Sequence, residues 1–117
     1  MIQVNPHVRI FVAREPLDFR TRIDGTAAVC RSLLRQDPMS GALFVFRNRA
    51  ATMIRVLVYD GQGFWYMTKR LSKGRFQHWC SPGKENSVSI AAHQLQSLIV
   101  GGDWADLKAA ETWRTVA

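Results

Sequence analysis

Met53-Ile54-Arg55-Val56-Leu57-Val58-Tyr59, Asp60-Gly61-Gln62-Gly63 and Phe64-Trp65-Tyr66-Met67-Thr68-Lys69-Arg70 stand in one unbroken run. Two segments rich in β-branched and aromatic residues flank a cluster of turn formers, the pattern of a β-hairpin. Side chains alternate across a strand. With a loop of two or four residues, Tyr59 and Phe64 share a face. Ile54, Val56, Val58, Trp65 and Met67 then form a continuous apolar side for helices to cover. The other side mixes Arg55, Leu57, Tyr59, Phe64, Tyr66, Thr68 and Arg70. A three-residue loop reverses this, because a slip of one residue turns every side chain to the opposite face.

Upstream, residues 42–47 read as another strand, with Phe44 and Phe46 expected on the apolar side and Arg47 on the mixed one. A short basic loop, Asn48 to Thr52, joins it to the hairpin. Asp37, Pro38, Ser40 and Gly41 precede it as a turn cluster. Phe19, Ile23, Ala27, Cys30 and Leu34 recur at helical spacing, opposite Arg20, Asp24, Arg31 and Arg35. That predicts an amphipathic helix over 19–36 with Asp18 as its N-cap. Gly25 inside it costs about 1 kcal/mol relative to Ala and points to close backbone packing. Residues 8–13 read as a first strand, ended by Pro16.

Downstream, Lys69, Arg70, Lys73 and Arg75 make a second basic connection, and residues 76–80 a short further strand. Ser89 is a suitable N-cap for a helix over 90–100, stopped by Gly101 and Gly102. The tail from Trp104 onward reads as frayed or weakly helical. The expected fold is α+β in one domain over 1–117. It has an antiparallel sheet of about four strands, one helix after the first strand and one near the C-terminus, since adjacent strands joined by short turns favour antiparallel pairing.

The charge is unevenly spread. The net charge is +7, and residues 1–75 carry thirteen Lys and Arg against five Asp and Glu, while residues 76–117 carry three against four. Twelve of the sixteen cations are Arg, which makes forked contacts to phosphate or carboxylate. The excess is either a basic solubilising surface or the footprint of a polyanion partner, foremost nucleic acid. Two cysteines make neither a disulfide framework nor a zinc site, and no run is long and apolar enough to span a bilayer. These features lead to the expectation of a cytoplasmic protein away from membranes.

Catalytic chemistry finds little support. Two-metal nuclease chemistry needs converging carboxylates. Of Asp18, Asp24, Asp60, Glu85 and Asp103, none lies inside an expected strand. His78 and Cys80 flank Trp79, but two ligands do not fix a zinc ion. His7 and His93 have no nucleophile or acid at informative spacing. Gly61 and Gly63 lack the lysine and the following helix of a phosphate loop. No catalytic residue, metal site or cofactor is assigned.

Asp18-Phe19-Arg20 with Asp24-Gly25, Asp37-Pro38 with Ser40-Gly41, and Leu43-Phe44-Val45-Phe46-Arg47 form one series of motifs. Tyr59-Asp60-Gly61-Gln62-Gly63, Lys69-Arg70-Leu71, Gly74-Arg75-Phe76, Leu95 and Asp103-Trp104 continue it. In order and spacing they resemble the TnpB-type proteins, products of the second open reading frame of IS66-family insertion sequences. That family is distinct from the RNA-guided nucleases that share the TnpB name. The likeness covers residues 8 to about 104. It implies a small bacterial accessory factor of transposition, encoded beside a larger transposase that carries the acidic triad. The expected partners are DNA, at element ends, and the transposase or another element-encoded protein. Arg47, Arg49, Arg55, Lys69, Arg70, Lys73 and Arg75 are the candidate nucleic-acid contacts. The alternative is a protein-interaction module that docks on the transposase without touching DNA, anchored by exposed aromatics.

Overall fold

The hairpin is the register expected from its turn. In the computed structural model, which describes residues 8–80 and 83–103, Tyr59 faces Phe64 and Met53 faces Arg70 across a four-residue loop. Asp60 builds that loop. Its Oδ1 accepts the Gln62 and Gly63 N–H groups, each at 2.9 Å, and its own N–H donates to the Gly63 carbonyl at 3.1 Å. Gly61 takes φ +96°, a left-handed value that glycine adopts without steric cost.

Around the hairpin the described chain runs β1 (Ile10–Ala13), α1 (Ile23–Ser32), β2 (Leu43–Arg47), β3 (Met53–Tyr59), β4 (Phe64–Arg70), β5 (Ser87–Ile90) and α2 (Ala92–Ile99). The strands form one sheet in the order β4-β3-β2-β1-β5. It has five strands rather than four, and it is mixed, because β1 and β2 pair in parallel. A parallel pair needs a crossover connection, and α1 supplies it. The fifth strand is Ser87–Ile90, antiparallel to β1, with Ser89 opposite Phe11. Ser89 is therefore a strand residue and not a helix cap; α2 is entered through Ala91, whose N–H is held by the Gln94 side chain at 2.8 Å. Residues 76–80 form no strand.

The first helix is shorter than its periodicity suggests. It starts at Ile23 after Arg22, while Asp18 closes a turn to the Thr21 N–H at 2.9 Å and holds Arg20. Phe19 still packs on the same core from the loop. Within α1, a Cβ on Gly25 would come within 2.8 Å of the Thr21 side chain, the close approach expected there.

Helices cover both faces of the sheet. α2 lays Leu95 and Leu98 on Val12, Val45, Val56 and Val58. On the opposite face, Ala27, Cys30 and Leu34 pack on Phe44, Phe46 and Leu57. Here the sequence expectation is reversed. Phe44 faces Leu57 and Phe46 faces Arg55, so both phenylalanines lie on the mixed side. α1 turns that side into a second core. It crosses the strands from Tyr66 of β4, bonded to Thr26, towards the β5 side, where Asn86 donates to the Leu33 carbonyl at 2.8 Å. The tail from Trp104 onward lies outside the described residues. Among those residues no helix is long and apolar enough to cross a membrane.

Candidate nucleic-acid interface

Three connections meet at the end of the sheet where β1 and β2 finish. The β2–β3 turn is built by a neutral side chain. Asn48 Oδ1 accepts the Thr52 and Met53 N–H groups at 2.9 and 3.0 Å, and its Nδ2 donates to Thr52 Oγ1 at 3.0 Å. This leaves Arg49 at an exposed tip. After β4 the chain folds back along the same turn. The Leu71 N–H reaches the Thr52 carbonyl at 2.9 Å and the Phe76 N–H reaches Ala51 at 2.7 Å, with the Phe76 ring buried. Between those two anchors stand Lys73, Gly74 at φ +82°, and Arg75. The connection from β1 to α1 is tied in by Leu17, whose N–H meets the Arg47 carbonyl at 2.9 Å.

The two basic segments, separate in sequence, are thus stitched to one turn. Arg49, Arg70, Lys73 and Arg75 are all exposed there. No Asp or Glu of the described residues comes within 4.0 Å of any of the four. Like charges so gathered raise the local positive potential and hold it outward.

The other three candidate cations sit differently. Arg55 is drawn into the fold. Its guanidinium carbon lies 4.4 Å from the Phe19 ring centre and 4.7 Å from that of Tyr66. Nε donates to Thr68 Oγ1 at 2.7 Å, and Nη1 to the Phe19 carbonyl at 2.9 Å. Lys69 is exposed, on the opposite face of β4 from Arg70, and its Nζ caps the Ile99 carbonyl of α2 at 2.8 Å. Arg47 is half-buried, 5.8 Å from the Trp79 ring centre, with Nη1 3.5 Å from the Asn48 carbonyl.

Two cationic residues missed by sequence reasoning also reach this end. Arg20 and Arg22 are exposed on the β1–α1 connection, Arg20 paired with Asp18 at 2.7 Å. The Arg20 guanidinium, by hydrogen bonding, holds the Asp18 carboxyl down at about 2. An open cleft of about 590 Å³ separates that connection from the β2–β3 turn, with Phe19, Arg20, Arg49, Met53 and Arg55 on its walls. In the sequence Arg20 stood opposite the apolar helical stripe, which gave it a solvent role, and in the Asp18-Phe19-Arg20 motif, which assigned it no contact.

The aromatics expected as open anchors are mostly covered. Tyr66 is held by Thr26 and donates to the Thr21 carbonyl at 3.1 Å, and Phe64 is tilted against Tyr59. Trp65 is the exception at 42% exposure. Among the described residues, no three His, Cys, Asp or Glu side chains gather into a metal-holding group. His78 Nδ1 stands 3.8 Å from an Asp103 oxygen, and Trp79 donates to the Ala13 carbonyl at 2.8 Å. Burial pushes the Cys30 thiol up to about 12 and raises that of Cys80, which keeps both thiols protonated and poorly nucleophilic.

The model of a family described as IS66 Orf2-like protein matches residues 8–109. An uncharacterized protein of Sinorhizobium fredii, y4hO, is 36% identical over 114 residues, spanning 97% of this chain and 96% of its own. A second uncharacterized protein of that organism, y4jC, is 34% identical over 108 residues, 92% of this chain and 91% of its own. No solved structure matches the chain.

Proposed function

The chain belongs to the IS66 Orf2-like family, accessory and non-catalytic proteins of insertion-sequence transposition, and from that premise we propose that it serves transposition by binding DNA through the basic end of its sheet. The observation that supports this reading is the convergence of Arg49, Arg70, Lys73 and Arg75 around one turn, exposed and without a described carboxylate beside them. Loop-borne cations of this kind contact phosphates; they position a protein on DNA without reading bases. Arg55 is set apart from the quartet, because its Nε and Nη1 donors are taken inside the fold. Arg20 extends the same surface along the cleft.

Phosphate contacts release counterions, so binding weakens with salt at a slope of about −0.9 per contact on duplex DNA. Four contacts give a slope of roughly −3 to −4. A gel-shift titration on element-end DNA across salt concentrations measures it. Replacing the four cations by Ala flattens the slope by about one unit per cation. No shift even at low salt overturns the reading. Co-purification with the transposase in the absence of any shift is the result expected of a protein-docking module instead.

A further inference from the structure

The β4 strand ends the sheet with its outer backbone edge unpaired by any described residue. It is seven residues long and mostly exposed. Long exposed edges are commonly blunted by charge or covered, because they offer a template for another strand. Two of the exposed large apolar side chains, Trp65 at 42% and Met67 at 40%, stand on alternate positions of this one strand. They share the face that α2 packs on without being covered by it.

The phase of the edge follows from its neighbours. In an antiparallel ladder, hydrogen-bonded and non-hydrogen-bonded pairs alternate. Thr52 with Leu71 and Asp60 with Gly63 are hydrogen-bonded at the two ends of the β3–β4 ladder. Counting inward through the register, Trp65, Met67 and Lys69 turn their backbone groups towards β3. Phe64, Tyr66, Thr68 and Arg70 turn theirs outward.

We propose that this edge pairs with the same edge of a second copy of the chain, antiparallel and centred on Met67, continuing one sheet through both. The strand is complementary to itself in that register. Met67 meets Met67 of the copy on the two-fold axis. Trp65 falls opposite Lys69 of the copy, and Phe64 opposite Arg70. Both are aromatic–cation pairs, a favourable cross-strand arrangement. Tyr66 falls opposite Thr68. Every outward-facing residue of β4 then has an outward-facing partner, so the ladder is satisfied along its length. A shift of two residues either way shortens the ladder and leaves either the two cations or the leading aromatics without a cross-strand partner in the copy. The two copies present their basic ends at opposite limits of the joined sheet, where neither obstructs the other. An isologous contact of this kind closes on itself and does not propagate into filaments.

The register makes the inference testable. Met67 of the two copies forms a non-hydrogen-bonded pair, with Cα atoms about 4.5 Å apart, within disulfide range. In a Cys80→Ser background, Met67→Cys should cross-link to a covalent dimer under mild oxidation. Thr68→Cys, which faces Tyr66 of the copy, should not. Light scattering of the unmodified chain should give a dimer. Met67→Lys, which sets like charges face to face across the axis, should weaken self-association at least about tenfold with an unchanged circular dichroism spectrum. A chain that stays monomeric up to millimolar concentration overturns the proposal. So does cross-linking of Met67→Cys no faster than Thr68→Cys, a measurement that stands even if Met67→Lys fails to fold.

Discussion

Arg55 and the quartet Arg49, Arg70, Lys73 and Arg75 carry the same charge within one part of the sheet, yet they meet opposite fates. Arg55 lies between Phe19 and Tyr66 with its donors on Thr68 and the Phe19 carbonyl. It fastens the β1–α1 connection to β3 and β4. Arg49, Lys73 and Arg75 lie on two connections held together by the Leu71–Thr52 and Phe76–Ala51 backbone bonds, and Arg70 ends β4 beside them, so none of the four side chains is needed for that work. The turn that gathers them is closed by an amide, Asn48. At the β3–β4 loop the same closing bonds are accepted by a carboxylate, Asp60. A positive count along a sequence therefore says little about a surface. What decides is whether the fold offers acceptors to each cation.

The largest expected effect separates the two groups by affinity. Replacing Arg49, Arg70, Lys73 and Arg75 together by Ala removes about 1 kcal/mol of phosphate contact each, or roughly a thousandfold in DNA affinity at moderate salt. Thermal stability should change little, since exposed cations without ion partners contribute little to folding. Loss of stability with retained affinity would reverse the comparison.

Arg55→Ala should do the opposite. It leaves the Phe19 carbonyl and Thr68 hydroxyl without their donor and opens the space between two rings, a loss of about 2–4 kcal/mol by the costs of unmade charged hydrogen bonds. Arg55→Lys should recover only a minor part, because an ammonium cannot fill the planar gap while reaching Thr68 and Phe19 at once. Denaturant midpoints for the pair measure this. The folded fraction of either variant should bind DNA with nearly unchanged affinity, and a large affinity loss would return Arg55 to the interface.

The hairpin was legible because alternation and a recognisable turn agreed over seven residues on each side, and its phase turned on loop length, which the pairing of Tyr59 with Phe64 decides. The β2 phase was not. Leu43, Phe44, Val45 and Phe46 are buried on both faces, so no polar residue marks which way the strand turns. Only pairing with β3 decides it. β5 was hidden for a related reason. Ser87-Val88-Ser89-Ile90 is short and half polar, and it becomes a strand by lying beside β1, far away in sequence. In α1 the helical spacing extended about one turn too far at each end, since Phe19 and Leu34 pack on the helix's own core from the flanking segments. The site shows the same division. That the middle of the chain is basic could be read directly. That Arg55 has acceptors at residue 19 could not, because those contacts exist only after the β1–α1 connection has crossed the end of the sheet.

A smaller effect sharpens the contrast between the two turns. Asn48→Asp keeps the Oδ1 acceptor, loses the donation to Thr52, and sets an anion among the quartet. DNA affinity should fall about fivefold at low salt, with the difference shrinking as salt screens the new charge. Equal affinities at low salt would mean that the quartet is not where DNA sits.

The mirror substitution at the other turn is expected to be the mildest. The Gly63 and Gln62 N–H groups and the Trp65 indole hold the Asp60 carboxyl below its ordinary value. A depressed folded value means that the charge favours the folded state above the unfolded value, near about 3.9, and that this contribution disappears as pH falls through the folded one. Asp60→Asn retains an acceptor for the turn but carries no charge. It should be slightly less stable than the parent at about pH 7, and the gap should have narrowed by about pH 3. Asp18 titrates in both chains, so the difference between their denaturant midpoints isolates Asp60. A gap that is the same at both pH values would mean that geometry alone, with no help from the charge, holds this turn, and the contrast with Asn48 would then rest on the surface that each turn leaves open.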